Sequence, residues 1–376
     1  MGSSVDDLFD DLTALAERRS AEWLFGELRH GAWIYGAGHY GQRLAALIAA
    51  AGLECLGFID RRGGEALPMV NGLPVYAPSD FPSSLAAGRC FVLGALNPAV
   101  EPGEILALAR TLPFRAILWN GDLPEVLGPA ANTVWLSSRS SILAERERLC
   151  ALAERLADPV SREILATVLR FRCAAGFDTM PAYDAANQYL PPDLPGFIGP
   201  IGFVDGGAYV GDTLQALRRA GVEIRDWLAF EPDTANFRPL AQMAGQAGVR
   251  AALFPCCLSD HSHPVSFEAE LGTGSRIAET GAMHTVTVPA VALDDVLHGC
   301  PVDFIKLDIE GAEAAALRGM RQTIDRWRPR LAISVYHRPE DLWTIPEQMI
   351  GMCPSARFHL RQHARNGFDT VFYAVP

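Results

Sequence analysis

Positive charge is scarce in this sequence. The 376 residues carry 32 Lys and Arg against 44 Asp and Glu, which gives a formal net charge of −12. Proteins dedicated to nucleic acids are usually basic because they must neutralise phosphates, so we expect no nucleic-acid partner. No run of about 18 uncharged apolar residues occurs, so we expect no membrane-spanning helix. The acidic first 11 residues lack an apolar core, which argues against a secretion signal.

Cysteines at metal-binding spacings are also absent. None of the eight cysteines stands in a CxxC pair or at a zinc-type spacing. Structural zinc sites need such spacings, so we expect the cysteines to be reduced residues of the interior. This distribution is typical of cytoplasmic proteins, and we predict a cytoplasmic location.

The first 130 residues have the pattern of a small Rossmann-like α/β domain. Helices are predicted over residues 5–28 and 42–51, and four strands over 32–35, 55–60, 89–94 and 116–119. A G-x-G-x-x-G turn of Gly36, Gly38 and Gly41 follows the first strand, and Asp60 ends the second. Such a turn can bind phosphates while the acid binds a ribose, which makes these residues a candidate nucleotide-sugar site. The alternative is a turn that serves packing alone.

Residues 131–200 are predicted to connect two domains. Helical periodicity covers residues 141–156 and 160–173. Five prolines then fall between residues 177 and 200, a density that prevents a regular helix or a central strand. This proline-rich segment is either a lid over a ligand site or a plain linker.

Residues 201–376 alternate between strand and helix patterns. Strands are predicted over 202–205, 227–231, 250–254, 303–308 and 331–336, and helices over 212–220, 234–246 and 312–327. Two last strands, 358–363 and 370–375, flank Asn366 and Gly367, a pair typical of hairpin turns. The expected fold class is therefore α/β, with a seven-stranded Rossmann-like domain in addition to the smaller N-terminal one. Its sheet should be parallel except for the terminal antiparallel hairpin.

The turn after the first of these strands has the features of a nucleotide-binding corner. Asp205 ends the strand, and Gly207 and Gly211 let the backbone turn sharply and approach a ligand. Glu231 ends the next strand, 24 residues after Gly207. A carboxylate at that place can accept hydrogen bonds from both hydroxyls of a ribose.

Four blocks occur in order in the second half of the chain, at residues 203–213, 230–233, 258–260 and 303–313. Together they resemble the FkbM family of S-adenosylmethionine-dependent methyltransferases. The resemblance implies S-adenosylmethionine as cofactor and O-methylation of a hydroxyl, with a sugar, nucleotide-sugar or glycan as the expected acceptor; a homo-oligomer is left open. The residues implied to bind the cofactor are Asp205, Gly206, Gly207, Gly211, Asp212, Thr213, Glu231, Pro232, Asp233, Ser259 and Asp260.

Charged residues at the ends of two later strands are the candidate catalytic groups. Lys306, Asp308 and Glu310 share one face of their strand because side chains alternate along it. Asp308 lies at the carboxyl end, where open α/β sites are found, and is the first candidate for the general base. His337, after the next strand, is the second candidate. The alternative is a buried Lys–carboxylate pair that only holds the loop.

The remaining candidates concern the acceptor. Residues predicted to bind it are Ser275, Arg276, Lys306, Glu310 and Tyr336. The first two belong to a glycine-rich loop that is otherwise the turn of a hairpin between residues 264–269 and 284–288. No complete set of carboxylates accompanies Asp308 and His337, so no metal is predicted.

Two other functions stay open from the sequence. A nucleotide-dependent sugar oxidoreductase would use the turn of the first domain. A non-catalytic nucleotide-binding scaffold would keep the ligand sites without the chemistry. Binding of S-adenosylhomocysteine, compared with binding of NAD(H), separates methyl transfer from the first of these.

Overall fold

The computed structural model describes residues 5–174, 181–269, 276–277, 285–297 and 299–376. The chain forms two compact units. The first comprises residues up to 154, 162–183 and 364–368, and the second comprises 155–161, 184–363 and 369–376. The predicted connector, residues 131–200, is thus divided between the two units, and the three-part division of the chain stays a prediction.

The first unit is built around a six-stranded sheet. Its strands are β1 (Ala32–Tyr35), β2 (Cys55–Ile59), β3 (Met69–Val70), β4 (Leu73–Tyr76), β5 (Cys90–Leu93) and β6 (Ala116–Leu118). The order is β3-β4-β2-β1-β5-β6, and β3 alone of these strands runs antiparallel to its neighbour. The N-terminal α/β domain is confirmed, but the prediction of four strands was wrong. Strands β3 and β4 are short, and Pro74 interrupts the strand pattern of β4.

Helices alternate with these strands and continue after them. They are α1 (Val5–Arg18), α2 (Ala21–Leu28), α3 (His39–Ala50), α4 (Ser83–Ala86), α5 (Pro102–Thr111), α6 (Leu123–Leu127), α7 (Arg139–Leu143), α8 (Arg146–Arg155) and α9 (Pro159–Ala174). The single helix predicted over residues 5–28 is two helices. Ser20 ends the first by capping the second, since its hydroxyl accepts a hydrogen bond from the backbone N–H of Trp23.

The second unit contains a seven-stranded sheet and a smaller four-stranded one. The large sheet consists of β7 (Ile201–Gly206), β8 (Ile224–Phe230), β9 (Arg250–Phe254), β14 (Phe304–Leu307), β15 (Arg330–Ser334), β16 (Arg357–Gln362) and β17 (Thr370–Val375). Its order is β16-β17-β15-β14-β7-β8-β9, and β17 runs antiparallel to both neighbours. The small sheet consists of β10 (Cys257–Leu258), β11 (His263–Glu268), β12 (Arg276–Ile277) and β13 (Thr285–Val291). The predicted fold class, including the terminal hairpin, is confirmed.

Six helices pack on or beside the sheets in the described part of this unit. They are α10 (Asp212–Arg219), α11 (Thr234–Ala247), α12 (Leu293–Val296), α13 (Glu313–Arg318), α14 (Arg321–Trp327) and α15 (Asp341–Met352). The helix predicted over residues 312–327 is broken between α13 and α14. Gly319 lies at this break, and a Cβ there would be 2.0 Å from the carbonyl oxygen of Ser259. This close backbone approach requires glycine.

The core of the second unit supports the edge at which the predicted site residues lie. Phe203 on β7 and Phe304 on β14 stack with ring centroids 5.1 Å apart, and Trp227 on β8 is fully buried beside them. The strands that carry the predicted residues therefore have a close-packed base. Within the described residues, none of the helices combines the length and the apolar character needed to cross a membrane.

Candidate functional site

Four neighbouring strands end in register at one edge of the large sheet. Gly206 of β7 pairs with Phe230 of β8 and with Leu307 of β14, and Leu307 pairs with Ile333 of β15. The segments that follow these strands contain most of the predicted site residues. They therefore lie side by side, at the edge where open α/β sheets bind ligands.

The glycine turn after β7 packs directly against the end of β14. Gly207 has φ 74°, and a Cβ there would lie 2.0 Å from the carbonyl oxygen of Asp308. Gly211 has φ 86° and caps α10, and a Cβ there would meet the methyl group of Met243 at 1.8 Å. Both positions therefore require glycine. Of the two residues that open α10, Asp212 is exposed and Thr213 is buried.

Lys306, the only lysine of the chain, lies beneath this turn. Its Nζ donates to the carbonyl oxygens of Gly206 at 3.0 Å and Gly207 at 2.6 Å. The same Nζ is 3.3 Å from Oδ1 of Asp205, whose Oδ2 accepts a bond from the indole N–H of Trp227 at 3.4 Å. The buried Lys–carboxylate pair, which the sequence offered as the alternative to a catalytic role, is thus present in the fold. The substrate contact of Lys306 stays a prediction, and the geometry favours a role in holding the turn.

Both members of this pair are charged at neutral pH. Burial alone would lower the pKa of Lys306, but the negative charge of Asp205 raises it. Burial raises the pKa of Asp205 to about 6, against the lowering effect of Lys306. The prediction that Asp205 binds the cofactor stays a prediction, since its carboxylate is fully buried behind the turn.

Glu231, at the end of β8, accepts hydrogen bonds that hold the glycine turn. Its Oε2 accepts a hydrogen bond from the backbone N–H of Tyr209 at 2.9 Å, and its Oε1 accepts from that of Asp233 at 2.9 Å. Tyr209 has the left-handed φ of 47°. Burial raises the pKa of Glu231, although these bonds oppose the rise. A carboxylate has about four acceptor positions, so these contacts leave room for a ribose hydroxyl.

The other residues predicted around the cofactor follow β8 and β10. Pro232 is half-buried, and Asp233 caps α11 by accepting a bond from the N–H of Ala235 at 2.8 Å. Ser259 is buried, and its N–H donates to the carbonyl of Val291. The next residue is engaged at the surface: Asp260 pairs with His261 at 2.6 Å and with Arg318 at 3.0 Å. These two partners lower the pKa of Asp260 to about 2. Contacts of these residues with a cofactor stay predictions.

A cluster of three carboxylates and one imidazole follows β14 and β15. Glu313 accepts hydrogen bonds from the backbone N–H groups of Ile309 at 2.8 Å and Gly311 at 3.0 Å, and it contacts Nδ1 of His337 at 2.8 Å. The opposite nitrogen of His337, Nε2, lies 3.3 Å from Oδ1 of Asp308 and 3.6 Å from Oε1 of Glu310. We call these four side chains the acid–histidine cluster.

Charge within this cluster determines which group can act as a base. Burial alone would lower the pKa of His337, but the negative charges of Glu313 and Glu310, with Asp308, raise it to about 10. Burial alone would raise the pKa of Asp308, but the positive charges of His337 and Lys306 lower it. An imidazolium cannot accept a proton, whereas a carboxylate can. This arrangement favours Asp308 over His337 as the base.

Two tyrosines also contact Asp308. The hydroxyl of Tyr189 donates to its Oδ2 at 2.9 Å, and the hydroxyl of Tyr336 lies 3.4 Å from its Oδ1. The backbone of Tyr189, at φ 67°, is in the left-handed region, and its N–H donates to the hydroxyl of Tyr373 at 3.1 Å. Tyr189 comes from the proline-rich segment, so that segment reaches the candidate base. Its function as a lid stays a prediction.

The electrostatic potential around the acid–histidine cluster is negative. Burial and the charge of Asp308 raise the pKa of Asp369 to about 6. Burial and the charge of Glu313 raise the pKa of Asp341 to about 7. Shifts in this direction indicate that further negative charge is unfavourable here, while a cation is favoured.

Comparison with known proteins identifies this half of the chain. Residues 205–365 match the family model described as the methyltransferase FkbM domain. This chain carries a methyltransferase FkbM domain. The whole chain is similar to a solved structure, the methyltransferase FkbM from Methylobacillus flagellatus KT, with a TM-score of 0.78. That match has 21% identity and covers 98% of this chain and 99% of the other, and at this identity it shows the fold alone. A comparison with curated proteins returned no match.

Two groups of predicted residues are not among those described at this edge of the large sheet. In the glycine-rich loop, Ser275 is outside the described residues, and of Arg276 the structure describes only the backbone, in β12. In the first unit, a Cβ at Gly41 would lie 1.9 Å from the carbonyl oxygen of Gly36, so the turn is close-packed. Gly38, by contrast, borders open space.

Asp60 of the first unit is bonded to its own surroundings. Its carboxylate accepts hydrogen bonds from the backbone N–H of Ala37 at 2.8 Å and from the backbone and side chain of Arg62. Burial alone would raise the pKa of Asp60, but the bonds from Arg62 and Ala37 lower it to about 2. The packing alternative for the G-x-G-x-x-G turn therefore has structural support, and the nucleotide-sugar site stays a prediction.

Two residues of the FkbM domain site were missed in the sequence. Glu313 lies 24 positions from His337, and no local pattern indicates that they meet. Tyr189 lies 119 positions from Asp308, in a segment without periodicity. The signal for Glu313 was its place three residues after Glu310, where the first turn of α13 brings its carboxylate back over the preceding loop.

Proposed function

We propose that this chain is an S-adenosylmethionine-dependent O-methyltransferase that methylates a hydroxyl of a sugar, nucleotide-sugar or glycan acceptor. The observation that carries the proposal is the contact between the glycine turn and the backbone of Asp308, the candidate base. Gly207 lies against the backbone of Asp308, whose N–H donates to the carbonyl of Gly206 at 3.2 Å. A donor held on the turn would therefore lie beside a base.

Five of the predicted residues would have direct roles in this reaction. Glu231 would bind the ribose hydroxyls of the donor, and Ser259 with Asp260 would border its adenine. The acceptor oxygen attacks the methyl carbon in line with the carbon–sulfur bond, whose electron pair leaves with sulfur as a neutral thioether. Asp308 takes the hydroxyl proton as the new carbon–oxygen bond forms. Tyr336, beside Asp308, would contact the acceptor.

Direct binding tests the donor site. We expect calorimetry to show binding of S-adenosylhomocysteine, and Glu231→Gln to weaken it about 10- to 100-fold, because hydrogen bonds to charged groups contribute about 1.5–3 kcal/mol. Glu223→Gln, an isosteric change before β8, is the matched control and should leave the affinity unchanged. Unchanged affinity in Glu231→Gln would reject the assigned donor site.

Transfer of a labelled methyl group tests the chemistry. We expect Asp308→Asn to bind S-adenosylhomocysteine while its rate falls about 10²- to 10⁴-fold, the usual effect of a general base. A panel of free sugars, nucleotide-sugars and glycans distinguishes the acceptor classes. Tight binding of NAD(H) without binding of S-adenosylhomocysteine would favour the oxidoreductase alternative. Binding of the methyl donor without transfer to any acceptor would favour the scaffold.

The cellular location is part of the same proposal. All eight cysteines are free. Several, including Cys90, Cys173 and Cys257, are buried thiols whose pKa is raised by burial. Inert reduced thiols agree with a cytoplasmic enzyme. Localisation of a tagged full-length chain by fractionation checks this.

A further inference from the structure

One buried nitrogen of the acid–histidine cluster has no hydrogen bond among the residues that the structure describes. His337 is 8% exposed, and its Nε2 is directed between Asp308 and Glu310 without bonding to either. Buried polar atoms are nearly always satisfied, and an unbonded nitrogen that faces two carboxylates leaves room for a partner shared by all three groups. From this geometry we propose that the cluster binds one divalent cation, with Nε2 of His337, Oδ1 of Asp308 and Oε1 of Glu310 as ligands.

Both separations measured from Nε2 of His337 agree with ligands around one ion. Ligand atoms about 2.1 Å from a metal lie about 3.0 Å apart in octahedral and about 3.4 Å apart in tetrahedral geometry. The observed separations from Nε2 are 3.3 Å to Asp308 and 3.6 Å to Glu310. Both carboxylates are about a quarter exposed, at 23% and 24%, which leaves coordination positions open to solvent or substrate.

Glu313 supplies the outer support that metal-binding histidines use. Its carboxylate contacts Nδ1 of His337 and is itself held by two backbone N–H groups. A carboxylate behind a histidine keeps the proton on the nitrogen that it contacts, here Nδ1, so that binding of a metal displaces the proton of Nε2 alone. Glu313 and His337 are both almost fully buried, with side-chain exposures of 1% and 2%, so this orientation is fixed by packing.

The backbone at Glu310 is held in a strained form that delivers its side chain to the cluster. Its φ is 55°, in the left-handed region that disfavours residues with a Cβ. The N–H groups on either side, of Ile309 and Gly311, are both bonded to Glu313. Strain of this kind persists where the surroundings impose it, and it is frequent at functional sites.

The donor set restricts the kind of ion. One imidazole and two carboxylates suit Mn²⁺ or Zn²⁺ better than a purely oxygen-binding ion such as Ca²⁺. In the proposed reaction the ion would bind the acceptor hydroxyl and lower its pKa, and the proton would pass to Oδ2 of Asp308. That role rests on the proposed function, whereas binding of the ion does not. No metal was predicted because the sequence does not reveal the contact between Glu313 and His337 or the orientation of the imidazole.

Titration of the metal-stripped full-length chain with Mn²⁺, followed by electron paramagnetic resonance and calorimetry, tests the proposal. We expect one equivalent to bind, Glu310→Gln to bind at least tenfold more weakly, and Glu313→Gln to lose about 10- to 100-fold, as outer-shell changes do. His263→Gln is the control, because the exposed His261 and the half-buried His263 stack with ring centroids 4.1 Å apart and lie outside the cluster. That variant should bind as the wild type does, and circular dichroism checks that each variant is folded.

Three outcomes would overturn the proposal. These are no stoichiometric Mn²⁺ binding, binding unaffected by Glu310→Gln, and binding lost in His263→Gln. The first outcome combined with tight S-adenosylmethionine binding would mean that the acids serve only as counter-charge for the sulfonium. Methyl transfer is measured separately with and without EDTA: transfer without Mn²⁺ binding refutes the metal site alone, and Mn²⁺ binding without transfer refutes the proposed function alone.

Discussion

Replacing Lys306 with methionine should strongly destabilise the second unit. The change keeps most of the length and volume of the side chain and removes its charge. It leaves Asp205, which is fully buried, without a counter-charge, and it removes the donors to two carbonyl groups of the glycine turn. Removal of one partner of a buried ion pair typically costs about 3–5 kcal/mol. We expect Lys306→Met to fall in that range at pH 8.

The pH dependence of this loss provides a sharper test. Burial already raises the pKa of Asp205 to about 6 in the folded protein, above its unfolded value. A carboxyl group with a raised folded pKa contributes stability at low pH that is lost as the pH rises through the folded pKa. Without Lys306 this pKa rises further, so the variant continues to lose stability above pH 6. The difference from wild type should grow by about 1.4 kcal/mol per pH unit from pH 6 until the carboxyl of the variant ionises.

Urea unfolding followed by tryptophan fluorescence measures these differences, since Trp227 contacts Asp205 directly. Asp205→Asn with Lys306→Met should cost less than the sum of the single changes, with a coupling of about 2–3 kcal/mol. Arg321→Met is the matched control, because Arg321 pairs with Asp325 at the surface at 3.5 Å and its loss should cost under about 1 kcal/mol.

The single lysine allows an independent chemical readout. An amine-reactive reagent can modify only Lys306 and the N-terminal amine. Lys306 is 3% exposed, so mass spectrometry of the wild type should show it labelled only when the unit opens. Asp205→Asn should speed this labelling. The reasoning fails if Lys306→Met costs less than about 1 kcal/mol at pH 8, or if its cost is the same at pH 6 and pH 8.

Three further changes have predicted outcomes. Gly207→Ala should lower the free energy of unfolding by about 1–3 kcal/mol and weaken binding of S-adenosylhomocysteine, because its Cβ would lie 2.0 Å from a backbone oxygen. The control is Gly245→Ala in α11, whose Cβ meets open space, and this change should be neutral or stabilising. An equal effect of both would contradict the steric argument. Tyr189→Phe removes the hydroxyl bonded to Asp308 and should lower kcat about tenfold, with KM for the donor unchanged; a rise in donor KM instead would place Tyr189 in the donor site. Glu310→Gly should raise unfolding stability by about 1 kcal/mol by relieving φ 55°, while Mn²⁺ binding falls; lower stability would show that the residue is unstrained.

The parts of the fold that follow from local pattern were predictable. Strands of the large sheet appear within one to three residues of their predicted bounds, because each is a short apolar run bordered by glycine, proline or charge. The hairpin of β16 and β17 follows from Asn366 and Gly367, which have φ 58° and 76°. Conformation at such positions is decided by the residues themselves.

The parts that depend on distant contacts were not predictable. The break between α13 and α14 is imposed at Gly319 by the backbone of Ser259, 60 positions away. Lys306 had the right residue type for a site, but only the paired registers of β7 and β14 show that its ammonium lies beneath the glycine turn. A single sequence records which charges exist, whereas the sheet topology decides which of them meet.

The position of Lys306 beneath the turn has a consequence for the proposed reaction. The pKa of Asp308 is lowered by nearby positive charge, to which His337 and Lys306 both contribute. A sulfonium on the glycine turn would add a further positive charge beside this carboxylate and keep it ionised, ready to accept a proton. Methyl transfer converts the sulfonium into a neutral thioether, so the pKa of Asp308 would rise as the proton arrives. The same electrostatic coupling would thus favour the ionised form of Asp308 before the transfer and its protonated form afterwards.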